Sequence, residues 1–260
     1  MPYATLTVET DDSLAILTLN RPEKRNAIST AMTNEIAAAM AEIAAGPARV
    51  MILTGAGKAF CAGMDLEGLR ELAEQSPERN YEDSRRMAAL FHRLYSFPKP
   101  TIAAVNGHAL AGGCGLATLC DFTLAVPGAK FGYTEARIGF VPALVSVYLT
   151  RQIGEKRARD LLLTARLVTA GEATKMGLVN ELVEPERLLA RARELAQTLA
   201  ANSPESLLAT KRLLLNFSEA ELEQQLALAV DANARIRQTA DFREGIRSFL
   251  EKRPPRWGTK

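Results

Sequence analysis

Three short segments of the sequence combine residue types that could move protons or stabilise a negative charge: residues 58–66, 106–115 and 131–142. In the second segment, glycines crowd the point where a strand turn gives way to a helix near Gly112. Glycine lets the backbone approach a ligand closely, and the start of a helix leaves backbone N–H groups unpaired. The pattern is typical of a site for a developing oxyanion, and a close strand–helix packing contact is the alternative interpretation.

The first segment offers a second backbone donor. Ala62-Gly63 precedes Met64 in a loop that follows an apolar strand, so the N–H of Met64 could also be directed at an oxyanion. Turns of small residues are common, and this segment alone is weak support. Neither glycine segment has the spacing of a P-loop or a dinucleotide-binding turn, which argues against phosphate binding.

The third segment contains a carboxylate, Glu135, among apolar and aromatic neighbours. Removal from water raises the pKa of a carboxyl group towards the range useful for proton transfer at neutral pH. Glu135 is therefore the candidate catalytic acid–base. The alternative is an ordinary exposed carboxylate that begins a helix or pairs with Arg137.

Composition excludes several other classes of protein. The chain has 260 residues, with 32 Lys and Arg against 30 Asp and Glu, a balance that argues against a dedicated nucleic-acid binder. No apolar run is long enough for a membrane span, and the first residues do not resemble a secretory signal, so a cytoplasmic location is expected. The 2 histidines and 3 cysteines lack metal-ligand spacing, so no metal site is expected.

The elements that must position these segments alternate between strands and helices. Apolar runs predict strands over 4–9, 14–20, 50–54, 101–106 and 122–126. Helical spacing of apolar residues predicts a helix that is capped at Ser29 or Thr30 and stops at Gly46, and a longer helix over 81–97. From about residue 185 the chain is almost purely helical. The helix over 220–236 has apolar residues on two faces, which indicates packing in an oligomer.

Several motifs, taken together and in order, resemble those of the crotonase superfamily, the family of enoyl-CoA hydratases and isomerases. The stretches that carry the likeness are residues 20–27, 60–66, 102–107, 111–114, 120–121, 177–180, 244–245 and 249–253. The resemblance covers almost the whole chain. It implies an α/β fold with a crotonase-like spiral core of repeated ββα units in residues 1–200 and a C-terminal helical trimerisation region in residues 201–260.

The resemblance also assigns roles to particular residues. It implies that the N–H groups of Met64 and Gly112 bind the thioester oxygen of an acyl-CoA substrate, and that Glu135 transfers protons. Coenzyme A is part of that substrate, and no separate cofactor is implied. The residues expected around the CoA moiety are Arg25, Ala27, Ala62, Asp65 and Leu66, with Phe249 and Lys252 reaching its nucleotide end from a neighbouring subunit. The implied assembly is a homotrimer or a dimer of trimers.

One departure from the family pattern leaves the reaction open. Hydratases with two carboxylates carry a Glu shortly after the glycines, where this chain has Gly115. When water is added across a 2-enoyl thioester, two carboxylates can divide the tasks of holding the water and delivering the proton. One carboxylate suffices to move a proton between the α- and γ-carbons. Hydration in fatty-acid or branched-chain acyl-CoA breakdown is the favoured expectation, and Δ3-Δ2 isomerisation is the first alternative. The second is a catalytically weak acyl-CoA-binding or RNA-associated protein on the same fold.

Overall fold

The computed structural model describes residues 3–11, 13–217 and 219–258, without the side chain of Leu66. Two sheets and a set of helices are built from these residues. In the larger sheet the strand order is β1-β2-β3-β5-β7-β10, and only the β1–β2 pair is antiparallel. Its strands are β1 Leu6–Thr10, β2 Leu14–Leu19, β3 Val50–Gly55, β5 Thr101–Val105, β7 Phe122–Ala125 and β10 Glu181–Leu182.

The smaller sheet has the strand order β4-β6-β8-β9. β4 pairs in parallel with β6 and β6 with β8, while β8 and β9 are antiparallel. The strands are β4 Ala59–Cys61, β6 His108–Leu110, β8 Lys130–Gly132 and β9 Val168–Thr169. β4 and β6 each begin within a few residues of the end of a large-sheet strand, so two successive units have the ββα arrangement that the family resemblance implies.

Eleven α-helices connect and cover the sheets in the described part of the chain. Ser29 caps the first one, its Oγ accepting from the Met32 N–H at 3.2 Å, and this helix ends before Gly46 as the sequence predicts. The helices are α1 Thr30–Ala45, α2 Leu66–Glu74, α3 Pro77–Tyr95, α4 Gly112–Thr118, α5 Ala143–Ile153, α6 Glu155–Thr164, α7 Ala170–Met176, α8 Leu188–Ala200, α9 Pro204–Asn216, α10 Glu219–Ile236 and α11 Ala240–Leu250.

The hydrophobic core lies on both faces of the larger sheet. All five residues of β5 are buried, as is usual for a central parallel strand whose two faces are both covered. The last two helices pack on this core, α10 against α3 and α5, and α11 against α2. Leu222 and Phe242 are fully buried in these contacts. One face of the C-terminal helical region is therefore used within its own chain.

Candidate active site

The three candidate catalytic residues follow three neighbouring strands of the smaller sheet. Met64 comes soon after β4, Gly112 after β6, and Glu135 after β8. These strands are parallel and adjacent, and neighbouring strands lie about 4.8 Å apart. Their carboxyl ends therefore bring Met64, Gly112 and Glu135 to one edge of the sheet, which is the edge where ligands of parallel α/β sheets usually bind.

Two glycines allow the loops at this edge to touch. Gly63 has a φ of +89°, and a Cβ added there would lie 3.0 Å from the Cβ of Ala111. A Cβ on Gly113 would lie only 2.4 Å from the carbonyl oxygen of Cys61. A larger residue could not occupy either position without moving the backbone. The close-packing interpretation holds for Gly63 and Gly113, and this packing keeps the β4 and β6 loops side by side.

The N–H group of Met64 is left unpaired by the contacts on either side of it. Ile28 N–H donates to the Gly63 carbonyl at 2.7 Å, and Asp65 N–H donates to the Ile28 carbonyl at 3.1 Å. The Met64 N–H between them has no acceptor among the described residues. Met64 also lines the main cavity of the chain, so this donor is available at the cavity wall.

The N–H group of Gly112 is unpaired for a different reason. Gly112 is the first residue of α4, so its N–H precedes the helical hydrogen-bond ladder, and no described residue accepts from it. Ala111, which precedes it, has a φ of +50°, a rare conformation for a residue with a Cβ. Strain of this kind is concentrated at ligand sites. It sets the direction of the peptide that carries the Gly112 N–H.

Glu135 opens a short 3-10 turn, Glu135–Ile138, and its side chain is 8% exposed. Its Oε2 has no hydrogen-bond partner among the described residues. Burial raises the pKa of Glu135 from its ordinary value to about 7, partly offset by its own backbone N–H. With a pKa near neutrality and a free oxygen, Glu135 is suited to accept and return a proton.

These groups line one cavity of about 820 Å³, large enough for a sizeable ligand. Its wall includes the apolar side chains of Phe91, Phe140 and Leu144 and the charged side chains of Glu23, Lys24 and Arg25. No group of three or more His, Cys, Asp or Glu residues in the described chain is arranged to hold a metal ion. None of the described helices is long and apolar enough to span a bilayer.

Residues 9–260 match the model of the family described as enoyl-CoA hydratase/isomerase. The chain belongs to this family, within the crotonase superfamily. A relative from Thermus thermophilus is 51% identical over 94% of this chain and 97% of that protein. A protein of Syntrophomonas wolfei named crotonyl-CoA hydratase is 34% identical over 97% of each chain. The crystal structure of an enoyl-CoA hydratase/isomerase from Xanthobacter autotrophicus Py2 superimposes with a TM-score of 0.89 at 33% identity, covering 96% of this chain and 97% of that one.

The loop that this family member would turn towards CoA is held in an unusual conformation. Arg25 and the fully buried Asn26 both have φ near +50°. The Asn26 amide stabilises this conformation by donating to the carbonyls of Ala56 at 2.9 Å and Ala59 at 2.8 Å. Arg25 and Ala27 then line the cavity, as do Ala62 and Asp65 from the β4 loop. The structure thus brings four of the five predicted CoA residues together.

Asp65 also has a structural role. Its Oδ1 accepts from the Gly68 N–H at 2.8 Å and so caps α2, and its Oδ2 forms an ion pair with Arg21 at 3.0 Å. Leu66, the fifth predicted CoA residue, is the first residue of α2, and its side chain lies outside the described part of the chain.

One of the two C-terminal candidates, Phe249, lies in the cavity of its own chain. Phe249 was expected to reach the site from a neighbouring subunit, but it lines the cavity of its own chain together with Arg253 and Pro255. The reason is that α11 folds back onto α2 and the Glu135 turn. Lys252 lies between these residues in sequence and is exposed, with a φ of +54°, but it does not line the cavity.

The position of Gly115 is filled by its neighbours. A Cβ on Gly115 would lie 2.7 Å from Cγ1 of Val145 and 3.3 Å from Cζ of Phe91. Val145 and Phe91 both line the cavity, whereas Gly115 does not. The place where two-carboxylate hydratases carry their first Glu is therefore occupied by apolar side chains in this family member.

Two polar residues of the cavity wall escaped the sequence analysis. Asn233 and Arg237 lie on one face at the end of α10 and beyond, and they are 4% and 2% exposed. Their spacing of four residues continues the buried stripe of Leu222, Ala229 and Val230. The sequence does contain a signal for them, because an Asn and an Arg continue a helix face that is otherwise apolar. Charged residues are seldom fully buried, so an arginine at such a position indicates a functional or structural role.

Proposed function

We propose that this enzyme adds water to a 2-enoyl-CoA thioester in acyl-CoA breakdown. The observation that carries the proposal is the buried Glu135, with one free oxygen, at the same sheet edge as the unpaired N–H groups of Met64 and Gly112. A thioester carbonyl that accepts from both N–H groups would place its α- and β-carbons towards the apolar part of the cavity. Relatives named as hydratases support the same reaction.

The proposed steps use one carboxylate. Ionised Glu135 takes a proton from a water molecule as the water oxygen bonds to the β-carbon. The electron pair of the double bond moves towards the thioester, and the carbonyl oxygen gains negative charge. Two fixed N–H donors stabilise that charge, and one such donor contributes about 2.7–4 kcal/mol in comparable oxyanion holes. Glu135 then returns its proton to the α-carbon, which completes the addition of one water molecule.

Basic side chains of the cavity support CoA as the carrier. Lys24 and Arg25 line the cavity near the start of the chain, and Arg253 lines it near the end, together with the acidic Glu23 and Glu67. Cationic side chains favour the phosphates of a CoA nucleotide. Ala27, Ala62 and Asp65 complete the proposed CoA wall, with Leu66 next in sequence. We place Phe249 and Lys252 near the nucleotide end as well, Lys252 on the exposed side of the same C-terminal segment.

Isomerisation is the second candidate, and one observation favours it. Val145 and Phe91 fill the place of a second carboxylate, so Glu135 is the only buried carboxylate with a free oxygen among the described residues that line the cavity. A single carboxylate can carry a proton from the α- to the γ-carbon of a 3-enoyl thioester without water. The two reactions use the same oxyanion donors. Hydration bonds a water oxygen to the β-carbon, whereas isomerisation adds no group to it.

The test is turnover of short 2-enoyl- and 3-enoyl-CoA thioesters in water enriched in oxygen-18. Hydration predicts a product heavier by one labelled water, whereas isomerisation predicts a product of unchanged mass. Glu135→Gln should lower turnover by about 10²–10⁴-fold because it keeps the shape and removes the proton carrier. Binding of the CoA thioester should stay near the wild-type value.

The matched control is Glu186→Gln, an exposed carboxylate in the 3-10 turn Pro185–Arg187, away from the cavity. It should retain wild-type turnover. Near-wild-type turnover of every thioester by folded Glu135→Gln would refute the mechanism. No turnover of any enoyl thioester by the wild-type protein would instead point to an acyl-CoA-binding role.

A further inference from the structure

A second polar group, formed by Asn233 and Arg237, lines the same cavity as Glu135. The Phe140 N–H donates to the Glu135 carbonyl at 3.0 Å, and the guanidinium carbon of Arg237 lies 5.4 Å from the centre of the Phe140 ring. The ring of Phe140 thus faces Arg237, while its backbone is hydrogen-bonded to the Glu135 turn. The side chain of Arg237 lines the cavity although it is 2% exposed.

The hydrogen bonds of Arg237 leave one donor without a partner. One terminal nitrogen, Nη1, donates to Asp83 Oδ2 at 2.9 Å and to the oxygens of Asn80 at 3.3 Å. Nη2 donates to Asn233 Oδ1 at 2.7 Å. The buried Nε has no acceptor among the described residues. Buried donors are nearly always paired, and each unpaired one destabilises a protein by about 1–3 kcal/mol.

Asn233 presents a second free donor at the same wall. Its Oδ1 accepts from both Ser84 Oγ and Arg237 Nη2, each at 2.7 Å. Two donors on one side of the amide fix which atom is the oxygen, so Nδ2 must be on the other side. No described residue accepts from this Nδ2, and Asn233 lines the cavity.

Arg237 has one carboxylate partner, Asp83, whose Oδ2 lies 2.9 Å from its Nη1. The other oxygen of Asp83 lies 4.0 Å from Nη1 of Arg86, whose side chain is 44% exposed. The surrounding cavity wall is apolar, with Met87, Phe91 and Phe140 among its residues. An arginine that served only to fasten α10 to α3 would not need a free donor.

We propose that Arg237 and Asn233 form a subsite for a carboxylate at the far end of the acyl group, so that the substrate is the mono-CoA thioester of an unsaturated dicarboxylic acid. This inference rests on the proposed action on enoyl-CoA thioesters and specifies their class. The carboxylate would accept from Arg237 Nε and Asn233 Nδ2 while the thioester oxygen accepts from Met64 and Gly112. Hydrogen bonds between charged groups in a closed apolar site are stronger than neutral ones.

The first experiment uses the wild-type enzyme alone. Mono-CoA thioesters of 2-enedioic acids, from about five to eight carbons long, are compared with 2-enoyl-CoA thioesters of matched length and with the corresponding terminal methyl esters. We expect kcat/KM for the best dicarboxylic substrate to exceed both matched compounds by on the order of 10- to 100-fold, the range for one charge-assisted hydrogen bond. Equal or better turnover of the methyl-terminated or esterified compounds overturns the subsite and leaves the proposed reaction standing.

The second experiment changes the subsite. Asn233→Leu removes the Nδ2 donor, and the pair Arg237→Gln with Asp83→Asn removes both charges together, so that no unpaired carboxylate is left behind. Both variants should reduce turnover of the dicarboxylic substrate at least 10-fold while turnover of the unsubstituted thioester changes little. Arg235→Gln is the matched control, because Arg235 lies on the exposed side of the same helix.

Thermal unfolding and turnover of the unsubstituted thioester show whether each variant is folded. An equal loss for both substrate types in folded variants would mean that the two residues only hold the cavity in shape, and it would overturn the inference. If no variant folds, the substrate comparison with the wild-type enzyme still decides. Absence of turnover with every thioester would count against the proposed reaction itself.

Discussion

The Glu135 carboxyl group combines two properties that rarely occur together in a folded protein: it is 8% exposed, and its Oε2 has no partner among the described residues. Burial raises its pKa to about 7, which suits proton transfer near neutral pH. The same burial penalises the ionised form in the folded state and not in the unfolded chain. The burial that suits Glu135 to the proposed proton transfer therefore lowers the stability of the folded protein.

This trade-off has a defined pH dependence. The folded-state pKa of Glu135, about 7, lies above that of an ordinary Glu in the unfolded chain. Between about pH 4.5 and 7 the folded protein holds a proton that the unfolded chain has lost, so the contribution of Glu135 to stability falls as pH rises. The loss is nearly complete by about pH 8 and is on the order of 3 kcal/mol.

Glu135→Gln should therefore raise the free energy of unfolding at pH 8 and have little effect below about pH 4.5, where Glu135 is protonated in both states. Urea unfolding at several pH values measures the difference between the two proteins. Glu186→Gln, an exposed carboxylate, should show no such pH-dependent difference. A Gln variant whose advantage does not grow between pH 5 and 8 would mean that Glu135 is not desolvated.

The thiols beside the site illustrate the opposite outcome of burial. Cys61 and Cys114 are buried and unbridged, and burial raises the pKa of each to about 12. A thiol with that pKa is protonated at neutral pH and is a poor nucleophile. Cys61 instead provides the surface against which Gly113 packs. Both cysteines are therefore free thiols that pack within the core.

At the scale of elements, sequence patterns predicted the larger sheet and missed most of the smaller one. The strands over 14–20, 50–54, 101–106 and 122–126 are close to the observed β2, β3, β5 and β7, because each is an apolar run with β-branched residues. β4 and β6 have three residues each, too few for any periodicity. Their positions could be inferred only from the glycines and small residues that follow them.

The sequence predicted the residues of the candidate site only one by one, because it did not predict the smaller sheet that brings them together. The sequence identified Met64, Gly112 and Glu135 individually, but their meeting at one sheet edge depends on the β4-β6-β8 order. Arg237 and Asn233 were missed because their burial depends on how α10 packs against α3. Propensity and periodicity describe single elements, and they hold no information about which distant helix covers a given face.

The contact between α4 and α5 bears on the choice between one and two carboxylates. Gly115→Glu alone should destabilise the protein, since Val145 Cγ1 would lie 2.7 Å from the new Cβ. Overpacking of this kind typically destabilises by about 1–3 kcal/mol, and a buried carboxylate adds to that. Combining it with Val145→Ala should recover part of the loss and admit a second carboxylate beside the cavity.

The measurements are thermal unfolding and the ratio of hydrated to isomerised product. If water positioning limits hydration, the double variant Gly115→Glu with Val145→Ala should raise that ratio relative to Val145→Ala alone, which is the control for the space created. A single Gly115→Glu variant as stable as the wild-type protein would show that Val145 does not hold this place. An unchanged product ratio in the folded double variant would contradict the role assigned to the missing carboxylate.

At the scale of the whole molecule, the C-terminal helices have two faces with different partners. Leu222 and Val230 of α10 are buried against the core of their own chain, whereas Leu228 is 66% exposed. More apolar side chains are exposed on the preceding helix and the residue that follows it, namely Leu213, Leu214 and Phe217 at 55%, 62% and 72%. Clusters of large exposed apolar residues mark interaction surfaces in soluble proteins. The two-faced pattern predicted over 220–236 is therefore present, and its outer face is uncovered within the chain.

We propose that this outer face packs against other copies of the chain in a trimer or a dimer of trimers. Light scattering at micromolar concentration should give a mass about three or six times the 28.2 kDa of one chain. Leu214→Glu combined with Phe217→Glu should shift the protein towards the monomer, because two charges would have to be buried at the contact. Leu163→Glu, at a 75% exposed position on α6, is the control for a charge added elsewhere.

Because Phe249, Arg253 and Pro255 line the cavity of their own chain, a folded monomeric variant should keep measurable turnover. A wild-type protein that stays monomeric would refute the assembly, and a double variant that assembles as the wild type does would place the contact on another face.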